Sequence, residues 1–174
     1  MDMNRAGAQR TEFYGLYRGT VTDNNDPEAR GRLKVLVPQV LGTTEVWAMP
    51  CVPYAGPQRG LYLMPEIGTG LWLQFEAGDP SYPVWVGMFW NEGDIDEADA
   101  APTVKYLKTT KFTVRIDDDE GEMIVEDDQG SKITINAQEV SIVSQAVKTE
   151  AGGGKKTELS SSSFTVNDGA LEVL

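Results

Sequence analysis

The rear part of the chain, from Lys105 to Leu174, is a series of short segments in which apolar and polar residues alternate. A strand with this alternation has one face that must be buried. The apolar residues are few and small, so a single copy of this region cannot bury them all within itself. We therefore predict that identical copies wind together. The predicted strands are Phe112–Ile116, Met123–Val125, Ile133–Ile135, Val140–Ile142, Phe164–Val166 and Leu171–Val173.

Residues 137–149 allow two interpretations. Val140, Val143 and Val147 recur at the spacing of a helix. The valine and isoleucine content favours a strand, and a strand is our prediction. Gly152–Gly154 and the two lysines that follow are expected to form a flexible loop before the final strands.

The front part of the chain predicts a small closed β-barrel. Two alternating segments flank a polar loop rich in turn residues, which indicates a long hairpin. Gly70 and Gly87 lie inside later strands, where glycine fits the sharp bends of a barrel. Five or six strands without a convincing helix indicate a small antiparallel barrel of the OB kind. The predicted strands are Tyr14–Thr22, Arg32–Val37, Val46–Met49, Leu61–Met64, Gly68–Phe75 and Pro83–Trp90.

Between the two parts lies an acidic segment of small residues, which is typical of a linker. We expect it to hold the rear part away from the barrel. The predicted organisation is an N-terminal extension over residues 1–13, the barrel over 14–92, the acidic linker over 93–104 and the intertwined β region over 105–174.

The charge distribution argues against a nucleic-acid partner. The net charge is −12, and the stretch from Glu92 to Asp128 holds 13 acidic residues against four basic ones. A nucleic-acid groove needs the opposite sign, because phosphate contacts supply most of the affinity. We interpret the acidic stretch as a solubilising surface.

The residue inventory narrows the possible chemistry. The sequence has no histidine, which removes Ser-His-Asp and Cys-His catalytic pairs and His-ligated zinc or iron. We assign no catalytic, cofactor-binding or metal-binding residue. The single cysteine, Cys51, has apolar neighbours and is expected to be a small buried hydrophobic residue. We find neither a membrane-length apolar stretch nor the apolar core of a secretory signal peptide.

Two other functions fit parts of the sequence. The acidic runs Asp117–Glu120 and Glu126–Asp128 are interpreted as solvated turns, with a carboxylate acid/base pair or a Ca²⁺ site as the alternative. Aromatic residues of the barrel suggest a stacking platform for single-stranded nucleic acid or carbohydrate. These aromatic residues are Tyr14, Tyr17, Trp47, Trp72 and Trp90.

A set of short motifs follows one another in order over residues 14–92. They are Asp26-Pro27, Gly31-Arg32-Leu33-Lys34-Val35, Trp47-Ala48, Pro65, Gly68, Phe75-Glu76, Gly78-Asp79, Pro83-Val84 and Gly87. The ordered set resembles the OB-fold domain of the spike proteins of contractile tails. These include the phage baseplate assembly protein V and tail-spike hub families and the VgrG proteins of type VI secretion. Proline and glycine set turns at these positions, so the motifs specify a scaffold and no chemistry.

The resemblance implies an all-β structural protein, with an N-terminal OB-fold barrel followed by a C-terminal intertwined trimeric β-prism or β-helix. In those families three chains wrap into a triangular prism. The implied function is the homotrimeric central spike of a contractile phage tail baseplate or a phage-like injection particle. Such a spike docks on the tail hub or tube-initiator protein and pierces the target envelope. The resemblance implies no enzymatic activity and no cofactor.

The C-terminal end suggests one further partner. No His-x-His pair is present, so we do not expect a metal-bound tip. Leu171, Val173 and Leu174 end the chain on apolar residues, and three such ends would form a platform. Exposed apolar platforms usually have a partner, which the resemblance implies is a small PAAR-like tip protein. A frayed terminus is the alternative. The expected location is the tail baseplate of a virion, or a contractile particle that is extracellular or assembled in the cytoplasm.

Overall fold

The computed structural model describes residues 11–168 and 170–173. The chain divides into two compact units, the first ending at Asp94 and the second beginning at Ile95.

Short strands, one helical turn and a small hairpin make up the first unit. Five strands form a closed barrel and a separate pair of two-residue strands forms the hairpin. In chain order the elements are β1 (Tyr17–Asp23), β2 (Leu33–Leu36), α1 (Pro38–Leu41), β3 (Glu45–Pro50), β4 (Ala55–Gly56), β5 (Arg59–Gly60), β6 (Gly70–Phe75) and β7 (Pro83–Met88).

The barrel closes in the order β1-β2-β3-β7-β6, which confirms the predicted OB-type barrel. Four of its pairings are antiparallel, but β3 and β7 run parallel, with Met49 opposite Val84 and Pro50 opposite Trp85. The prediction of a purely antiparallel barrel missed this pair. A parallel pair needs a long crossover, and residues 51–82 supply it.

Alternation along the barrel strands places the core. Leu71, Leu73 and Phe75 of β6 point inward, while Gln74 between them is exposed. Fully burying one such aliphatic side chain stabilises the fold by roughly 1.5–3 kcal/mol. Together the buried side chains give the barrel a hydrophobic core of its own. Its members are Val21, Leu33, Val35, Val37, Ala48, Leu71, Leu73, Phe75 and Trp85.

The loop between β1 and β2 is organised by Asp26. Its carboxylate accepts hydrogen bonds from the backbone N–H groups of Glu28, Arg30 and Arg32. It also accepts two from the Arg32 guanidinium, with Nη2 at 2.7 Å and Nε at 3.0 Å from Oδ1. The Arg32 guanidinium in turn lies over the ring of Trp47. These bonds hold β1 and β2 at the geometry of the predicted hairpin.

Three local expectations for the barrel were wrong. Residues 61–64 form no strand, and Leu61 and Tyr62 are exposed, because the chain here crosses from β3 to β6 outside the barrel. Cys51 is exposed rather than buried. Ala48 is the buried position near the end of β3, so strand alternation turns Cys51 outward. The expected absence of a helix missed the single turn Pro38–Leu41.

The second unit consists of two antiparallel sheets. The strands are β8 (Val104–Lys108), β9 (Phe112–Asp117), β10 (Glu122–Asp127), β11 (Lys132–Ile135), β12 (Val140–Val143), β13 (Ala146–Ala151), β14 (Lys155–Ser160), β15 (Phe164–Val166) and β16 (Leu171–Val173). Strands β8 to β12 form a five-stranded sheet and β13 to β16 a four-stranded one, each strand pairing with its neighbours in sequence.

The observed strands confirm most of the predicted ones. Residues 140–143 are a strand, which settles the choice between helix and strand. The expected loop at Gly152–Gly154 is the tight turn of the β13–β14 hairpin, and Lys155 already lies in β14. Strand β14 was missed because its apolar residues are sparse, whereas most of β13 lies within the stretch 137–149 that was predicted to be a strand. The C-terminal strands fit a β-prism.

Across residues 11–168 and 170–173, no helix has the length and apolar character needed to cross a membrane.

Candidate self-association surface

The five-stranded sheet of the second unit has one apolar face. Residues directly opposite each other in an antiparallel pair point to the same side of the sheet. The register therefore places two rows of side chains, each running across all five strands, on a single face. The rows are Lys105, Ile116, Met123, Ile135 and Val140 in the first and Leu107, Val114, Val125, Ile133 and Ile142 in the second. Nine of these ten side chains are apolar.

This apolar face is open to solvent in the single chain. Leu107 is 51% exposed, Ile133 40% and Val140 65%. Phe112, two residues before Val114 and on the same face, is 60% exposed. A contiguous apolar sheet face of this extent indicates a protein–protein contact, because isolated soluble chains rarely expose one.

The opposite face of the same sheet is polar and partly covered by the chain itself. Charged and hydroxyl side chains predominate on it, with Tyr106, Ile124 and Val143 among them. A 3₁₀ turn at Glu97–Asp99 places the Asp99 carboxylate 3.1 Å from Lys108 Nζ and 3.4 Å from Arg115 Nε. The two faces therefore differ in chemistry, and the part of the chain that the structure describes leaves the apolar face exposed.

The four-stranded sheet repeats this division. Its register places one apolar row and part of a second on the same face. On the other face Lys148 pairs with Glu158 at 3.1 Å. The apolar residues on the first face are Val147, Leu159, Phe164, Val166, Leu171 and Val173.

The predicted tip-docking residues belong to this second apolar face. Leu171 is opposite Val166, Val173 is opposite Phe164, and both are 56% exposed. Leu174 lies outside the described residues. A role in binding a tip protein therefore stays a prediction.

The acidic runs lie at the turns that connect the strands. Burial alone would raise the pKa of Asp117, but hydrogen bonds from the backbone N–H groups of Glu120 and Asp119 and from Arg115 outweigh it, so the pKa is lowered. Backbone N–H groups of Ser131 and Gln129 lower the pKa of Asp127 in the next turn. These carboxylates stabilise tight turns, which is the solvated-turn interpretation.

Two further carboxylates in the runs pair with lysines, Asp118 with Lys105 and Asp128 with Lys111. Within the part of the chain that the structure describes, no group of three or more acidic or cysteine side chains is placed to hold a metal ion.

The proposed aromatic platform of the barrel is not one surface of free rings. Tyr17 packs against Phe75, with ring centroids 5.6 Å apart. The Arg18 guanidinium carbon lies 4.6 Å from the ring centroid of Trp72, and Arg32 covers Trp47 at 5.3 Å. Tyr14 and Trp90 are exposed, at 71% and 67%. Three of the five rings therefore already have partners within the chain.

The sequence predicted that this region has an apolar face, but not which residues form it. The alternation in each strand was visible, whereas the pairing of β8 with β9 and the β13–β14 hairpin were not. For the β13–β14 hairpin the signal was present in the turn: Gly153 and Gly154, both with positive φ, connect the two strands.

Two family models match the chain. The first, described as the type VI secretion system/phage-baseplate injector OB domain, matches residues 17–90. The second, described as the phage baseplate V C-terminal trimerisation domain, matches residues 105–172. The two matches correspond to the barrel and to the two sheets. No curated protein matches the chain.

Proposed function

We propose that three copies of this chain form a central spike that docks on the tail hub and pierces the target envelope. The chain belongs to the spike proteins of phage baseplates and type VI injectors. Family membership makes the chain a structural baseplate component with a trimerisation domain. Docking and piercing are the finer proposal. Its location would be the baseplate of a virion tail or the equivalent part of an injection particle.

The apolar sheet face is the observation that supports the proposal most directly. It lies within the residues matched by the trimerisation model. Three copies placing this face toward a shared axis would remove it from water, and burial of apolar surface is the main favourable term in association. The same arrangement would let neighbouring copies pair the sheet edges.

The proposed mechanism is mechanical. Sheath contraction drives the tube, and the spike transmits that force to the envelope. Intertwined sheets suit this role, because separating them requires many ladder hydrogen bonds to break together. We infer a structural role without catalysis, supported by the matched descriptions, which name injector and trimerisation domains. The proposed partners are the hub or tube-initiator protein and a PAAR-like tip protein at the C-terminal end, with only transient contact with the envelope.

Two measurements test the proposal. Native mass spectrometry of the full chain should give three chain masses, against a chain mass of 19.0 kDa. A stable monomer at micromolar concentration would overturn the spike. Co-expression with the hub protein of the same particle should then recover a complex through the barrel, and failure to bind any hub would remove the docking part alone.

A further inference from the structure

An open groove lies on the barrel unit beside the crossover between β3 and β6. Its volume is about 510 Å³, within the range of binding clefts. Its walls are largely apolar and aromatic, and Trp85 lies at its base with its indole N–H donating to the Gly31 carbonyl. Residues that line it include Val52, Tyr54, Leu61, Tyr62 and Met64.

The groove is also basic. Arg30 and Arg59 line it, and no carboxylate does among the described residues. Arg30 pairs with Glu28 at 3.3 Å, both about half exposed. The Arg59 guanidinium has neither a hydrogen-bond acceptor nor an ion-pair partner within residues 11–168 and 170–173. In a chain of net charge −12, an apolar groove with an unpaired arginine favours an occupant that is aromatic and acidic.

The end of the same unit presents such an occupant. Trp90 is 67% exposed, and Glu92, exposed two residues later, has no partner among the residues that the structure describes. The turn that carries them is closed by Asp94, whose carboxylate accepts from the Asn91 backbone N–H at 2.6 Å and from its side-chain amide at 3.0 Å. A preformed turn loses little conformational freedom on binding. We name residues 90–94 the Trp90 turn.

Symmetry favours a second copy of the chain as the occupant. Interfaces around a three-fold axis are heterologous, so each copy must offer two different surfaces that fit each other. The groove and the Trp90 turn are different surfaces with complementary charge and apolar character. The trimerisation domain tethers the three barrels to one another, and tethering raises the effective concentration of one barrel near the next to roughly millimolar.

We propose that the Trp90 turn of one copy binds in the groove of its neighbour, so that the three barrels form a closed ring. Trp90 supplies the aromatic anchor and Glu92 pairs with Arg59 of the neighbouring copy. The inference rests on the trimer of the proposed function.

The exposed Cys51, between the groove residues Pro50 and Val52, provides the test. Trimers are assembled from two kinds of chain, one wild type and one carrying Cys51→Ser and Glu92→Cys, and treated with a short bis-maleimide. Because Glu92→Cys also removes the ion pair with Arg59, the cross-linking yield tests the Trp90 anchor. A denaturing gel should show a product of two chain masses. Trp90→Ala in the Glu92→Cys chain should reduce its yield about tenfold, the effect of losing roughly 1.4 kcal/mol of contact. Thr43→Cys in place of Glu92→Cys is the control. Thr43 is exposed just before β3, at the other end of that strand from Cys51, so this chain should give no such product.

A charge exchange tests the ion pair without a cross-linker. Arg59→Glu alone, or Glu92→Arg alone, should reduce the hydrogen-exchange protection of residues 54–62 in the trimer, and the two together should restore it. Light scattering on every variant separates the possible failures. A chain that is not a trimer overturns the proposed function. A trimer in which the Glu92→Cys chain gives no cross-linked product with Cys51, or a yield that Trp90→Ala leaves unchanged, overturns the ring and leaves the groove for another partner such as the hub.

Discussion

Asp26 is a single side chain that organises a whole loop. Its carboxylate accepts three backbone hydrogen bonds and two from Arg32, and its side chain is only 4% exposed. The hydrogen bonds from the Arg32 side chain, which exceed the opposing effect of burial, hold the pKa of Asp26 far below its usual range. A carboxyl group whose pKa is lowered by folding stabilises the fold only while it is ionised.

Asp26→Asn should therefore destabilise the barrel in a pH-dependent manner. Above the ordinary aspartate pKa of about 3.9 the stabilisation is complete, and it is lost as the pH falls from there toward the lowered pKa of the folded state. The difference in unfolding free energy between wild type and variant should be largest near neutral pH and shrink in acid. Urea titrations at several pH values measure it. Glu45→Gln, at an exposed carboxylate that pairs with Lys34 at 3.2 Å, is the control and should change little. A pH-independent difference would contradict this account of Asp26.

Gly19 lies where neighbouring parts of the barrel leave no room for a side chain. A Cβ atom there would lie 2.5 Å from Leu73 Cδ1 and 2.9 Å from the Leu36 carbonyl oxygen. Gly19→Ala should cost about 1–3 kcal/mol, because the backbone of β2 must move. Gly87→Ala is the matched control in another strand of the barrel, since nothing lies within 4 Å of its Cβ position. Thermal unfolding of both variants decides the point, and equal melting temperatures would refute it.

At the scale of elements, the same substitution should have opposite effects on trimer formation at two adjacent residues, because they lie on different faces of the β8–β12 sheet. Ile133→Asp places a charge on the apolar face, and Thr134→Asp places the same charge on the polar face. An unpaired buried charge costs about 3 kcal/mol or more, once for each copy in a trimer. Ile133→Asp should therefore give monomers in light scattering, whereas Thr134→Asp should remain trimeric. Dissociation by both variants, or by neither, would contradict the assignment of the faces.

The strands could be predicted where apolar residues alternate densely, as in β1, β2, β6 and β9 to β12. The prediction failed where a local pattern was overruled by tertiary structure. Residues 61–64 are apolar enough for a strand, but the barrel already has its five strands and the segment has no edge to pair with. The parallel β3–β7 pair joins residues more than 30 positions apart, and local alternation carries no information about such pairing.

The candidate surface was predictable in kind but not in detail. A region with too few apolar residues for its own core pointed to identical copies, and the trimerisation-domain match agrees. Strand β14 was missed because threonine and lysine occupy many of its positions. The groove of the barrel was also missed, because it is lined by a segment that was predicted to be a strand.

At the scale of the whole molecule, the division after Asp94 predicts that the two units separate cleanly. A fragment of residues 1–94 contains the entire barrel core and should fold as a monomer. A fragment of residues 95–174 contains both apolar sheet faces and should remain a trimer. Circular dichroism and native mass spectrometry of the two fragments provide the measurement. A trimeric barrel fragment or a monomeric sheet fragment would contradict the assignment of self-association to the second unit.

Among the described residues, every strand of the second unit pairs only with its neighbours in sequence, and this pattern determines which steps of folding come first. Short loops close quickly, so each copy can zip its hairpins by itself before it meets another. Bringing three copies together is a slower event whose rate depends on their concentration. Dilution should therefore delay trimer formation by the second unit without slowing the barrel. Light scattering during refolding at several chain concentrations follows the trimer, and tryptophan fluorescence follows the barrel unit, which holds all four tryptophans. A newly made chain would spend that interval with its apolar faces open, so synthesis of several copies close together would shorten the period in which they can aggregate.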